Sequence, residues 1–169
     1  MVALERYLNS FGKSIVNKAK GILKRKKKVV SSELLNSISY KLQKDTAGFT
    51  VQFFMANYGT FIDKGVSGTK KKRTYVTYEG KREKSPYAYT TKRPPMRVLD
   101  KWIVRRGIAP RDAKGRFITR KSLQYLIANK IFTQGIEGIS FFQKPLQLGM
   151  KDFYNQVGSA IKEDIINTI

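Results

Sequence analysis

The 169-residue chain contains no cysteine and no histidine, and it sets only 12 acidic residues against 34 lysines and arginines. Without cysteine there are no disulfides and no thiolate chemistry. Without either residue, the usual ligands of zinc and of most transition metals are missing, and carboxylates alone would have to serve. The lack of histidine also removes the commonest general base. No run of about 18 apolar residues occurs, so no segment reads as a transmembrane helix. The apolar residues near the N-terminus are spaced rather than continuous, which is not the pattern of a signal peptide. The expectation is a soluble protein of intracellular origin, with no cofactor, no metal and no membrane partner.

What the chain does have is positive charge, +22 formally. Self-repulsion on this scale weakens a compact state unless counter-charge lies near. Hydrophobic residues at 41% still suffice for a core, so the charge does not imply disorder. The length suits one domain spanning residues 1–169. More than half of the lysines and arginines fall between Lys64 and Lys121. Such a block suits nucleic acid or acidic proteins better than a membrane surface, which would call for one strongly amphipathic helix.

Residues 2–25 place Leu4, Leu8, Phe11, Ile15, Ala19 and Ile22 four and three apart, with Tyr7, Val16 and Leu23 beside them. This predicts a helix of about six turns with one apolar stripe, serving as core, subunit contact or coiled-coil seam. The cations of Lys24-Arg25-Lys26-Lys27-Lys28 suit its negative dipole end. From Ser31 to Ile38 a capped turn leads into a strand. Tyr40 and Leu42 then alternate with polar residues, Asp45–Gly48 turns, and Phe49–Met55 resumes strand chemistry, predicting a β-hairpin.

Residues 69–95 read as an extended basic arm, or a loop that orders on assembly. Pro94-Pro95 opens a short helix, Met96 to Arg106, with Val98, Leu99, Trp102 and Ile103 on one face and Trp102 as its core anchor. A further helix is expected from Thr119 to Thr133, with Leu123, Leu126, Ile127, Ile131 and Phe132 apolar. A last one runs from near Pro145 to the end. The fold class expected is α+β: a small antiparallel sheet packed against long N- and C-terminal helices, with a long basic arm or loop.

Catalytic motifs fare poorly. Gly12-Lys13-Ser14 resembles the end of a phosphate loop, yet Tyr7 stands where the first glycine should be and the triplet lies in a helix. Asp63 with Glu79 and Lys81 has the spacing of metal-dependent nucleases, but the surroundings are polar and glycine-broken. A solvated charged loop is the simpler reading, and no enzymatic activity is expected. The basic runs Lys24–Lys28 and Lys70-Lys71-Lys72-Arg73, with Arg105 and Arg106, are candidate contacts to DNA or to acidic partners. Arg111, Lys114, Arg116, Arg120 and Lys121 extend that set, and no motif of a sequence-specific reader accompanies it.

The order of features resembles the tail-completion and head–tail connector proteins of tailed bacteriophages. The matching pieces are the long N-terminal helix, Leu35-Asn-Ser-Ile-Ser-Tyr40, a strand ending in Ala56-Asn-Tyr-Gly-Thr-Phe-Ile-Asp-Lys-Gly65, and Ser140-Phe-Phe-Gln-Lys-Pro-Leu146 before the final helix. The family's tyrosine–glycine element with its conformationally special glycine corresponds to Tyr58, Gly59 and Gly65. Its aromatic-proline element corresponds to Phe141, Phe142 and Pro145. Residues 69–95 and the Trp102 helix with Ala109–Arg120 are basic additions to the short members' pattern.

The resemblance implies a structural virion protein of the phage neck or tail, made in the bacterial host cytoplasm. It would form a homo-oligomeric ring of roughly twelve or six copies around the DNA channel. Its partners would be the portal, adaptor and tail proteins, with non-specific contact to genomic DNA. The alternative is a basic, non-specific DNA-binding or packaging accessory protein.

Overall fold

Helix α1 (Val2–Arg25) is the axis on which the rest assembles. Its 24 residues span roughly 36 Å at 1.5 Å per residue. The computed structural model describes residues 1–26, 32–46 and 48–167; Lys27, Lys28 and Ser31, which figure in the sequence reading, lie outside them. Leu4, Leu8, Ile15, Val16, Ala19 and Leu23 are buried along one side of α1, as their spacing requires. That side meets sheet and helices of the same chain. The stripe is core, therefore, and neither a coiled-coil seam nor a subunit contact.

After a short α2 (Glu33–Ser37) come β1 (Ser39–Asp45) and β2 (Gly48–Phe54), paired antiparallel with Tyr40 opposite Phe53 and Leu42 opposite Val51. The predicted cap of α2 takes another form: Ser32 makes no side-chain cap. Ser37 Oγ instead donates to Leu34 O and accepts from Ala56 N, tying the helix to the end of β2. Tyr40 lies against the α1 backbone at Gly12, where any Cβ would strike its ring. Period-two alternation sends Tyr40 and Phe53 toward a core of Ile15, Leu23, Ile38, Phe141 and Phe142. Leu42, Phe49 and Val51 pack on a second cluster of Ala3, Leu4, Leu8 and Ala160.

The chain continues through α3 (Gly59–Lys64), β3 (Thr74–Val76) and β4 (Arg82–Lys84), then α4 (Met96–Arg105) and α5 (Arg120–Gln134). It closes with α6 (Gln143–Met150) and α7 (Phe153–Ile166). The single closing helix expected from Pro145 is thus two helices, broken at Lys151-Asp152. Packing explains the break. Gly149 brings α6 against Ile15 and Phe11, and the turn swings Phe153 back to 4.8 Å from the Phe11 ring. Both halves then lie on α1. Asp164 completes the joint: its Oδ1 accepts from Ala3 N at 2.9 Å and its Oδ2 from Leu4 N at 3.0 Å. These are N–H groups that a helix start leaves without intrahelical partners. Burial works to raise the Asp164 pKa, but the hydrogen bonds from Leu4 and Ala3 and the terminal ammonium outweigh it and hold it low.

An α+β architecture with a small antiparallel sheet between long N-terminal and C-terminal helices follows directly from these elements.

Candidate DNA and subunit interface

Residues 62–70 and residues 132–140 are two halves of one clasp. Val66 N donates to Ile136 O and Ile136 N to Val66 O, at 2.9 and 2.8 Å. Flanking bonds extend the pairing: Ile139 N to Ile62 O and Ser140 N to Asp63 O on one side, Thr69 N to Phe132 O and Lys70 N to Thr133 O on the other. Gly65 (φ 76, ψ 178) and Gly135 (φ 70, ψ −170) sit in a backbone region that essentially only glycine occupies. A Cβ on Gly65 would stand 2.6 Å from Gly138 N, and one on Gly135 would strike Val66 O. The two backbones can run this close only because side chains are missing there.

Asp63 lies inside the clasp, 2% exposed. Its Oδ1 accepts from Phe142 N at 2.8 Å and, more loosely, from Gln143 N at 3.5 Å, so it caps the start of α6. Burial pushes its carboxyl above the ordinary range, and those hydrogen bonds offset the push only in part. Tyr58 and Phe142 pack on the central core, Phe141 and Pro145 are fully buried, and Gly59 gives room to Leu34 and Met55. The six residues that carry the family resemblance, Tyr58, Gly59, Gly65, Phe141, Phe142 and Pro145, are thus architectural.

Residues 69–95 form a short hairpin with its ends anchored. Ser67 N donates to Tyr87 O and Tyr89 N to Ser67 O, both at 2.8 Å, and β3 pairs with β4. Ser85 Oγ donates to Gly65 O at 2.7 Å, and Tyr78 N reaches Gln143 Oε1 at 2.9 Å. Phe61 and Tyr87 meet edge to face, and the Arg93 guanidinium lies over Tyr125 and Phe132 of α5. These anchors join residues far apart in sequence, which no local pattern signals.

The candidate cations fall into separate places. Lys70, Lys71 and Lys72 are exposed on the clasp's outer edge, whereas Arg73 turns inward, donating through Nε to Gln134 O and sitting 3.9 Å from Glu137. Lys24, Arg25 and Lys26 end α1 beside an open groove of about 1350 Å³ that also meets Lys18, Lys144 and Pro145. Arg105 and Arg106 stand at the far end of α4, exposed.

Helices α4 and α5 pack on each other, joined by Gln124 Nε2 donating to Asp100 Oδ1 at 2.6 Å and by Arg120 at 3.7 Å from the same oxygen. Leu99 and Ile103 anchor α4; Trp102 is only half-buried, and Val98, expected on the inner face, is 64% exposed. On α5 only Ala128 is fully buried, and Leu126, one of the apolar residues noted on this helix, is 54% exposed. The pair therefore keeps Val98, Val104, Tyr125 and Leu126 at the surface, and α7 keeps Tyr154, Ile165 and Ile166 there.

The three residues with nuclease-like spacing are each engaged in the fold. Asp63 is engaged at α6, while Glu79 is exposed and pairs with Lys81 at 2.9 Å. Among the described residues no group of three or more acidic side chains is placed to hold a metal ion, and no helix is long and apolar enough to cross a membrane. Gly12-Lys13-Ser14 lies within α1, where Gly12 makes room for Tyr40. Comparison with protein-family models, with curated proteins and with solved structures finds no match for this chain.

Proposed function

We propose that the protein is a structural component of the neck of a tailed phage, assembling with copies of itself into a ring around the DNA channel without catalysing a reaction. One observation carries the reading: the folded chain leaves large apolar side chains exposed both on α4–α5 (Val98, Val104, Tyr125, Leu126) and on α7 (Tyr154, Ile165, Ile166). Cyclic rings repeat a heterologous contact, which requires two different patches on each subunit. Neither patch is needed for the core, which α1, the first hairpin and α6–α7 already close. The charge of +22 is consistent with a place beside DNA or acidic neighbours, since repeating it in a free ring would be strongly repulsive. Portal, adaptor and tail proteins are the neighbours this reading implies.

The test is mass spectrometry of purified phage particles together with light scattering of the purified protein. Presence in particles at a copy number matching a ring, and a concentration-dependent oligomer, support the proposal. A stable monomer absent from particles overturns it. A protein that binds duplex DNA as a monomer and is missing from particles would instead be the packaging accessory.

A further inference from the structure

We infer that the loop joining α4 to α5 is a preformed probe for duplex DNA, with Arg111, Lys114, Arg116 and Phe117 as its contact residues and Arg105 and Lys121 at its base. Residues 96–134 hold ten lysines and arginines and two acids. Both acids are already engaged within the element. Asp100 holds Gln124 and Arg120. Asp112 Oδ1 accepts from Lys114 N and Arg116 N at 2.9 Å each, and its Oδ2 from Arg116 Nε at 3.0 Å. The Asp112 carboxyl is held low by the backbone N–H of Arg116 above all, so it stays ionised and the loop stays organised.

The backbone is equally fixed. Asp112 N donates to Arg116 O at 2.8 Å, Gly115 N to Asp112 O at 3.0 Å and Ile118 N to Pro110 O at 3.1 Å, with Gly115 at φ 80 making the turn. The Arg111 guanidinium donates to Gly115 O and lies 4.0 Å from the centre of the Phe117 ring, which is itself 71% exposed. An aromatic ring held this far into water beneath an arginine, on a tip with no unengaged acid, is a surface without an internal purpose.

Its chemistry favours duplex DNA. Phosphates are met by cations with release of counterions, and guanidinium forks fit them bidentately. The loop is a tight hairpin turn closed by one antiparallel bridge, Arg111 opposite Phe117, narrow enough to enter a DNA groove, and an apolar side chain beside arginines is the wedge that groove binders place against a base step. One ring is too little apolar surface to hold a bilayer. Because the loop is ordered beforehand, little entropy is lost on docking. The inference rests on the reading of the chain as a wall of a DNA channel, yet it fails separately, since particle incorporation is measured without DNA binding.

The test is fluorescence anisotropy with a random-sequence DNA duplex of about 20 base pairs, titrated over a range of salt. The full-length wild type is compared with the exposed-charge triple Arg105→Ala/Lys114→Ala/Lys121→Ala, the charge-matched triple Lys70→Ala/Lys71→Ala/Lys72→Ala, and Phe117→Ala. The Arg105/Lys114/Lys121 triple, which removes one cation from the tip and two from the base, is expected to lower the slope of log K against log salt by about 3 and to weaken binding at least about tenfold near 0.1 M salt. The Lys70–Lys72 triple is expected to lose less than about half of that. Phe117→Ala is expected to weaken binding with its salt slope unchanged. Lys114→Glu alone, whose side chain makes none of the loop's organising bonds, gives the same direction should the triple fail to fold. Equal losses in the two triples, wild-type binding by the tip variants, or tighter binding to anionic lipid vesicles than to duplex would overturn the inference.

Discussion

Replacing Asp63 separates what its carboxylate does by hydrogen bonding from what it does by charge. Its Oδ1 is the acceptor for Phe142 N at 2.8 Å, in a site 2% exposed. Asp63→Ala leaves that N–H buried without an acceptor, a loss of about 1–3 kcal/mol. Asp63→Asn keeps an oxygen in the same place and removes the charge, so its cost should stay under about 1 kcal/mol at neutral pH. The pH dependence fixes the sign. Burial raises the Asp63 pKa in the folded chain above its value in the unfolded one. Such a group adds stability that is fully present below the unfolded pKa and is lost as pH rises through the folded pKa. Wild type should therefore lose ground to Asp63→Asn as pH climbs from about 4 toward neutrality. Urea melts at a series of pH values measure this as a shift in midpoint at constant m. Should Asp63→Asn cost as much as Asp63→Ala, or wild type gain on it with rising pH, the ionised carboxylate would be the stabilising form and the reasoning would be wrong.

Other substitutions probe other joints. Gly21→Ala in α1 and Gly158→Ala in α7 meet nothing within 4 Å, so each should raise stability by about 0.5–1 kcal/mol in thermal melts. Gly65→Ala and Gly135→Ala should each cost about 1–3 kcal/mol in backbone strain alone, with collision against the opposing strand added, read as a lowered urea midpoint. Asp164 has the opposite sign to Asp63: its pKa is lowered, so its contribution is present above the ordinary carboxylate range and lost as pH falls through the folded value. Asp164→Asn should accordingly flatten the acid limb of the stability curve. Simultaneous Leu126→Ser and Val98→Ser, both exposed, should leave the melting temperature almost unchanged while reducing oligomer mass in light scattering.

Local periodicity foretold what local periodicity controls. The stripe of Leu4, Leu8, Ile15 and Ala19 and the alternation around Tyr40 and Phe53 are burial patterns written directly into residue spacing, and α1 and the first hairpin stand where they point. The glycine at the end of α3 was marked as special by the resemblance alone, and its dihedrals are of the kind that essentially only glycine takes. Its partner across the clasp was not, since Gly65 and Gly138 are far apart in the chain and nothing local couples them. Asp63 read as part of a solvated charged loop, or at most as a metal-binding carboxylate, because sequence cannot tell a buried helix cap from a solvent-facing carboxylate. The break at Lys151-Asp152 escaped for a similar reason: Gly149 lies inside the last turn of α6 rather than at the turn itself, and the break is imposed by the need of Phe153 to reach Phe11. Val98 and Leu126 fell on apolar faces by spacing, yet a pair of short helices offers each other too little area to cover both sides.

The clasp also gives the chain a modular grammar. Thr69 N and Phe132 O are 2.9 Å apart, so everything between them, the basic hairpin and the α4–α5 pair alike, departs from and returns to one spot. Neither principal core cluster contains a residue from that excursion. A lineage could lengthen, trim or exchange this cargo while the scaffold beneath went on folding as before, and a shortened gene joining Gly68 to Gly135 through a tight turn would be the simplest ancestor to build.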